Sequence, residues 1–462
     1  MLSVLFHTLG CKINQLESEA LADAFTHAGF RLCKPDDVSP SIILINTCTV
    51  TSKADQKARR VIRQALRDNP LSCVLVTGCY AQLDKEQIMK LDDGRGRFFV
   101  FKSGEKNRLL ELPVFLCEKE NDPDGVIRDW IEKNSELDSN HGVFDFSPER
   151  FSNHTRGFLK IQDGCDKHCT YCRIRLARGN SVSLNAPQVL ERLRLLEGNH
   201  AEAVLAGVNI SQYRDETSTI GSLAELLDYL LNGTEKIALR LSSLEPDSID
   251  ENLAKILSNK RIRPHFHLSI QSGSETILEK MGRSYTPETI EKTVNLLRSV
   301  KNDPFLACDM ITGFPGENEA EFKKTYELCQ KYDFAWIHVF PYSKRPGTPA
   351  WLYKNLVHEA DVTGRVQMLT DLAAKGKIAY ISRWFDREID VLIEKGGSAK
   401  NPGNFCRGTS ENYLKLLIQC EGDTPHAGTV LRCIIPSNQK IKGLNKLYDA
   451  VAKPLDKKFE NV

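Results

Sequence analysis

Apolar and polar positions along this chain fall into blocks of two alternating kinds. "SVLFHTLGC", "SIILINTCTV" and "SCVLVTGCY" are short, almost unbroken apolar runs. Runs of that length, rich in Val, Ile and Leu, predict strands buried on both faces. Between them, "QLESEALADAFTHAGF" and "KADQKARRVIRQALRDN" repeat apolar residues at helical spacing. "RFFVFKS" adds a fourth strand. Strand–helix alternation of this kind predicts an open parallel sheet with helices on both faces. This first unit is assigned to residues 1–117.

Residues 118–150, "EKENDPDGVIRDWIEKNSELDSNHG" and beyond, are polar and charged and read as a linker with one short helix. A second alternating series follows over 151–386. Its strands are "GFLKIQDGC", "AEAVLAGVNI", "IALRLSSLEP", "HFHLSIQSG", "FLACDMITGFPG" and "WIHVFPYS". Six β/α units in a row predict a partial (β/α)6 barrel, whose chemistry gathers at the C-terminal ends of the strands. The long helix "HEADVTGRVQMLTDLAAKGKIAYISRWF" closes this unit. From 387 to 452 the pattern changes to short strands ("REIDVLIEK", "NYLKLLIQC", "AGTVLRCIIP") broken by Gly, Pro and Asn, which predicts a small all-β barrel. The fold class is therefore α/β with a small all-β module at the end.

The 462 residues carry a formal net charge of +1, which excludes neither nucleic acid nor a small substrate. No apolar run approaches the ~18 residues of a membrane span. Met1 leads into no basic segment, so the start does not read as a secretory signal. The chain is expected to be cytoplasmic, with no membrane partner. Fourteen cysteines in such a chain argue for metal or redox chemistry wherever they cluster, not for a disulfide framework.

They cluster first in "GCDKHCTYC", where Cys165, Cys169 and Cys172 have C-x3-C-x2-C spacing directly after a strand. Three thiolates are one short of a closed tetrahedral site. A zinc ion could take His168 as its fourth ligand, although a His beside a ligand Cys strains the tetrahedron. A cubane iron–sulfur cluster accepts three thiolates and leaves one iron open.

The motif, its Tyr171 and its place after the first strand of a six-unit β/α series resemble the radical S-adenosylmethionine superfamily. The resemblance implies a [4Fe–4S] cluster whose open iron binds S-adenosylmethionine, and reductive cleavage of that cofactor to a 5′-deoxyadenosyl radical. It places Tyr171 near the adenine, with core packing as its plainer role. It points to the later strand ends for the rest of the cofactor site: Gly207 and Asn209 in "AGVNISQY", Ser243 and Glu245 in "LSSLEP", and Gln271 in "SIQSG".

Cys11, Cys48 and Cys79 each end one N-terminal strand. Neighbouring strand ends of a parallel sheet lie side by side, so these three thiols can converge in the crevice where such folds bind ligands. Cys33 and Cys73 lack that placement, and Cys117, Cys308, Cys329, Cys406, Cys420 and Cys433 show no ligand spacing. Two three-Cys sites on two α/β domains, followed by a small β-module, resemble the methylthiotransferases over nearly the whole chain. The resemblance implies a second, auxiliary [4Fe–4S] cluster on Cys11, Cys48 and Cys79 that carries the inserted sulfur. It also implies a terminal TRAM-like module that binds RNA, and an electron donor such as flavodoxin or ferredoxin.

"TLGCKINQLESE", "RLSSLEP" and "HVFPYSKRPGTPA" resemble the branch acting on N6-threonylcarbamoyladenosine in the tRNA anticodon loop. The isopentenyladenosine branch has Gln and Met where Lys12 and Ile13 stand here. Another modified tRNA adenosine or a ribosomal protein is the alternative target, and a non-enzymatic iron–sulfur electron carrier is a more distant one. RNA contact is expected from Lys53, Lys57, Arg60, Arg63 and Arg67 on one helix face, and from Lys440, Lys442 and Lys446 near the C-terminus. Arg173 and Arg175 depart from the family's apolar run after Cys172, and either face substrate phosphates or lie on the solvated surface.

Overall fold

The computed structural model describes residues 2–34, 37, 39–118, 122–134, 142–148, 155–395, 405–420, 425–439 and 448–455. Its N-terminal unit is a five-stranded parallel sheet. The strand order is Arg31–Leu32, Ser3–Thr8, Ile42–Thr47, Cys73–Gly78, Phe98–Val100. The three inner strands match the three apolar runs, and Ile42–Thr47 and Cys73–Gly78 are buried along their whole length. Both faces are covered by the helices Lys12–His27, Ser52–Asp68 and Cys79–Met89 and their neighbours. The two-residue edge strand Arg31–Leu32 carries too little pattern to be read from sequence.

The stretch expected as a linker contains the helix Pro123–Asn134, and its described part packs closely. Ile127, Trp130 and Phe146 are buried in the same core as the N-terminal helices and the first strand of the next unit. The polar sequence around them hides three large apolar side chains spaced to face inward.

The central unit holds six parallel strands in two sheets. Gly157–Lys160, Glu202–Ala206 and Ala238–Leu241 form one, and His265–Gln271, Phe305–Thr312 and Trp336–Pro341 the other. A bridge between Leu244 and Leu268 joins them into a partial barrel. The 25-residue helix Glu359–Arg383 packs on the last strand and leads into the C-terminal module. That module is a closed barrel ordered Glu388–Ile393, Phe405–Ser410, Lys415–Gln419, Ala450–Pro454, Val430–Ile434. No helix among the described residues is long and apolar enough to cross a membrane.

Glu202 anchors a buried charged cluster within the central unit. Its carboxylate is 2% exposed and pairs with Arg240 (2.6 Å) and Arg263 (2.9 Å). Burial alone would raise its pKa, but the arginines outweigh burial and hold it at about 2, below the ordinary 4.5. A depressed carboxylate stabilises the fold above its unfolded pKa and loses that contribution as pH falls through the folded value. Urea unfolding of the protein should therefore show roughly 3 kcal/mol of stability lost between about pH 5 and pH 2 through this group. Glu202→Gln should be less stable at neutral pH and should flatten that part of the profile; an unchanged slope would remove Glu202 as its source.

Candidate active site

Strand register brings the N-terminal cysteines together. Thr8 pairs with Asn46, and Thr47 pairs with Gly78, so Cys48 and Cys79 leave the sheet side by side. Cys11 follows the neighbouring strand and caps the Lys12–His27 helix. Gly10, at φ +112°, makes this approach possible: a Cβ there would stand 2.7 Å from Cys48 Cβ. Cys79 opens a helix directly after its strand. All three thiols line one cavity. Cys11 is exposed to a cavity yet surrounded by protein, and burial pushes its thiol up. Burial likewise pushes Cys48 up to about 11.

The second triad sits on a loop pinned at both ends. Gln162–Asp163 pairs with Val182–Ser183, and Cys165 N–H donates to Gly179 O at 3.1 Å. Gly164, at φ +68°, packs so tightly against Asn180 O that no side chain fits. Cys165, Cys169 and Cys172 are half-buried. Burial pushes Cys172 up to about 12 and raises Cys169 as well.

Donors are aimed at the sulfurs of both triads. Arg178 Nε donates to Cys79 Sγ at 3.3 Å, and Arg283 Nη1 to Cys169 Sγ at 3.4 Å. Ile174 N–H donates to Cys172 Sγ at 3.4 Å. Asn209 Nδ2 lies 3.9 Å from Cys165 Sγ, and its buried Oδ1 has no partner. Such donors suit thiolates whose negative charge a metal has fixed, so the residues fit a metal–sulfur centre at each triad. Among the described residues no three candidate ligands converge on a point for a single metal ion. A cubane asks for no such point, because each thiolate meets a different iron.

Arg178 links the two triads. It lies six residues after Cys172, at the end of the short helix Ile174–Arg178, and crosses into the N-terminal unit. Besides Cys79 it reaches Asp163 (3.0 Å), Glu17 (3.1 Å) and Asn14 (2.9 Å). Lys106 and Lys160 complete this buried network, at 2.8 Å from Glu17 and 2.5 Å from Asp163. Burial works against ionised Glu17, but Arg178 and the two lysines hold it far below the usual carboxylate range. Sequence carries no signal for the roles of Arg283 and Glu17, and for Arg178 only the "ARG" after the cysteine motif.

The other sequence candidates fall in different places. Gly207 and Ser243 line the cavity that also exposes Cys11, Cys48 and Cys79. Glu245 pairs with Arg283 at 3.1 Å, next to Cys169. Gln271 is nearly buried at its strand end, in the left-handed region at φ +70°. Tyr171 packs edge-on against Phe314 beside Ile277, Met281 and Ile311, so its ring is part of a small apolar core. Arg173 is neither solvated nor free to meet phosphate. It is 8% exposed and donates to Asp84 (2.9 Å) and Thr49, tying the cysteine loop to the N-terminal unit. Arg175 lies against His168 instead of a carboxylate. Lys53, Lys57, Arg60, Arg63 and Arg67 are all exposed on the Ser52–Asp68 helix. Lys440, Lys442 and Lys446 lie outside the described residues.

The Radical SAM superfamily matches residues 159–329, and the Uncharacterized protein family UPF0004 matches residues 3–98. The threonylcarbamoyladenosine tRNA methylthiotransferase MtaB of Treponema pallidum (strain Nichols) is 38% identical, over 94% of this chain and 98% of its own. The protein of the same name from Bacillus subtilis (strain 168) is 33% identical, over 91% of each chain. The solved radical S-adenosylmethionine methyltransferase TsrM of Kitasatospora setae superposes with a TM-score of 0.49, at 17% identity over 76% of this chain and 77% of that one. A relative this similar along nearly its full length places the protein: the chain belongs to the radical S-adenosylmethionine methylthiotransferases, transferases whose cofactors are S-adenosylmethionine and two [4Fe–4S] clusters.

Proposed function

We propose that this enzyme inserts a methylthio group at carbon 2 of N6-threonylcarbamoyladenosine beside the anticodon of tRNA. The supporting observation is Arg178: a helix beginning beside Cys172 ends with a guanidinium on Cys79 Sγ. Two thiol triads coupled through one short helix suit a reaction in which one centre activates a carbon–hydrogen bond and the other delivers sulfur. The names of the Treponema and Bacillus relatives support the threonylcarbamoyl substrate.

In this reading Cys165, Cys169 and Cys172 hold one cluster, and Cys11, Cys48 and Cys79 the other. When bound, the clusters and S-adenosylmethionine supply the radical, the methyl group and the sulfur that an unactivated aromatic carbon requires. The chain's own groups position and shield. Asn209, Glu245 and Gln271 offer polar contacts at the strand ends to S-adenosylmethionine, with Gly207 and Ser243 lining its approach and Tyr171 packing the floor. Arg283 neutralises Glu245 and donates to Cys169. Ile174 and Val208 give the cavity beside Cys11, Cys48 and Cys79 part of its apolar wall. The exposed basic face of the Ser52–Asp68 helix suits tRNA phosphates, and the C-terminal barrel suits further RNA contact. The base must leave its stack to reach the cavity. A low-potential flavodoxin or ferredoxin supplies the electron.

Mass spectrometry of tRNA nucleosides from cells with and without the gene tests the reading. Loss of 2-methylthio-N6-threonylcarbamoyladenosine, with accumulation of its unthiolated precursor, is expected. An unchanged nucleoside profile would move the target to a ribosomal protein.

A further inference from the structure

The cavity beyond the N-terminal thiols measures about 880 Å³ and draws walls from all three units. That is ample for a modified nucleoside. Cys11, Cys48 and Cys79 stand on one side. His265, Phe305, Trp336 and Tyr413 form an aromatic floor on another. Tyr413 comes from the C-terminal barrel. It sits in a turn at φ +71° and its ring lies against His265, centroids 4.1 Å apart and planes tilted by 34°. The barrel therefore closes the lumen of the central unit as well as standing beside it.

The charges around this cavity do not balance. Lys377 is paired with Asp449 at 3.0 Å, and Asp309 lies against the His267 ring, Nε2 to Oδ1 2.8 Å. Arg178 is committed to Glu17 and Asp163. Glu202, beneath the floor, is shared by Arg240, Arg263 and Arg156. Lys12 follows Cys11 directly, lines the cavity, and forms no hydrogen bond or ion pair with a described residue. Lys12 shares this cavity with the aromatic floor of Tyr413, His265 and Phe305. A half-buried cation left without a counterion is costly, and a fold retains one where a ligand supplies the anion.

We propose that Lys12 is a specificity-determining residue that binds the carboxylate of the acyl substituent on N6 of the substrate adenine, above a floor closed by Tyr413. This rests on the threonylcarbamoyladenosine reading, since that substituent ends in a carboxylate. An adenosine carrying a neutral alkyl group at N6 would leave the ammonium unpaired in the same cavity. Discrimination of this kind is strong because the mismatched substrate abandons a buried charge.

The test uses the reconstituted holoenzyme and two anticodon stem-loop RNAs. One carries N6-threonylcarbamoyladenosine, the other its threonine carboxamide, which has the same shape and no charge. Kd is read by fluorescence anisotropy at fixed salt, and KM and kcat by product formation. Wild type should bind the acid roughly tenfold to a hundredfold more tightly than the amide. Lys12→Met should erase that preference by weakening the acid alone, and Lys12→Arg should keep most of it. Iron content of each variant reports whether the neighbouring Cys11 site is intact, and Lys12→Gln repeats the comparison should Lys12→Met lose iron.

A Lys12→Met enzyme that still prefers the acid overturns the proposal. So does equal weakening of both RNAs, which would make Lys12 a phosphate contact. A raised KM for S-adenosylmethionine with an unchanged acid-to-amide ratio also overturns it, by assigning Lys12 to the methionine carboxylate. Failure of the substrate reading looks different: wild type would methylthiolate neither RNA, while the binding comparison would still read Lys12.

Discussion

Cys169→Ala is expected to release no 5′-deoxyadenosine from S-adenosylmethionine above background, whereas Cys48→Ala keeps releasing it and transfers no methylthio group. The asymmetry follows from where the two thiols sit. Cys169 lies on the pinned loop beside Arg283 and Glu245, within the central unit. Cys48 lies at the N-terminal strand ends, packed against Gly10. Losing a partner that merely orients a metal ligand costs about 10–100-fold in activity or affinity, so losing the ligand itself should cost at least ~10³-fold. Anaerobic iron analysis gives a second readout. Each variant should drop from about eight irons per chain to about four, since each cluster holds four. If Cys48→Ala still inserted sulfur, the N-terminal triad would not be the sulfur-carrying site. If Cys169→Ala still cleaved the cofactor, the C-x3-C-x2-C loop would not hold the reducing cluster.

The second large effect is expected at Arg178. This side chain is buried, and the guanidinium fork serves two carboxylates, one amide oxygen and one sulfur at once. Arg178→Met leaves Glu17 and Asp163 with only Lys106 and Lys160, and leaves Cys79 without its donor. Breaking a buried ion pair by removing one partner typically costs about 3–5 kcal/mol. Thermal unfolding should therefore shift down by several degrees. The N-terminal triad should lose iron while Cys165, Cys169 and Cys172 keep theirs. Arg178→Lys separates the two roles: one ammonium can answer the carboxylates but cannot also reach the sulfur. It should recover most of the melting temperature while methylthio transfer stays impaired relative to 5′-deoxyadenosine release. Equal recovery of both would reduce Arg178 to a structural ion pair. A wild-type melting temperature for Arg178→Met would show that the network contributes no net stability.

Arg173 and Arg345 extend the same interface. Arg345 reaches Asp55 at 2.6 Å and Thr49 at 2.7 Å from the loop after the last central strand. With Arg173 on Asp84, three arginines of the central unit enter the N-terminal unit around its cysteine-bearing strand ends. Their partners Asp55, Glu17 and Asp84 come from three different helices. Together with the apolar core the two units share, these contacts fix the N-terminal strand ends against the cysteine loop of the central unit. Position matters more than strength here, because a misplacement of about 1 Å can cost ~10²-fold in rate.

Short periodic stretches determined much of this protein by themselves. Unbroken apolar runs gave buried parallel strands, because a parallel strand covered on both faces has no polar side. Cys11, Cys48 and Cys79 could be grouped from sequence because each follows such a run, and parallel strands end together. The C-x3-C-x2-C motif was legible because all its members lie on one loop. The polar stretch 118–150 was the misleading segment: its composition hides Ile127, Trp130 and Phe146, which a core formed by two other units buries.

What only the tertiary structure decided are the contacts between distant elements. Arg173 read as a surface or phosphate-facing charge, since sequence carries no signal that Asp84 waits on another domain. Arg178 and Arg283 acquire their roles from sulfurs 99 and 114 positions away. Tyr413 reaches the cavity floor from a separate barrel, and Lys12 forms no ion pair with a described residue while Glu17, Glu202 and Asp449 are each held by other cations. Local periodicity is set by the backbone and repeats over a few residues, so it can be read along the chain. The pairing of a buried charge depends on which elements pack together, and that is settled only when the units close on one another.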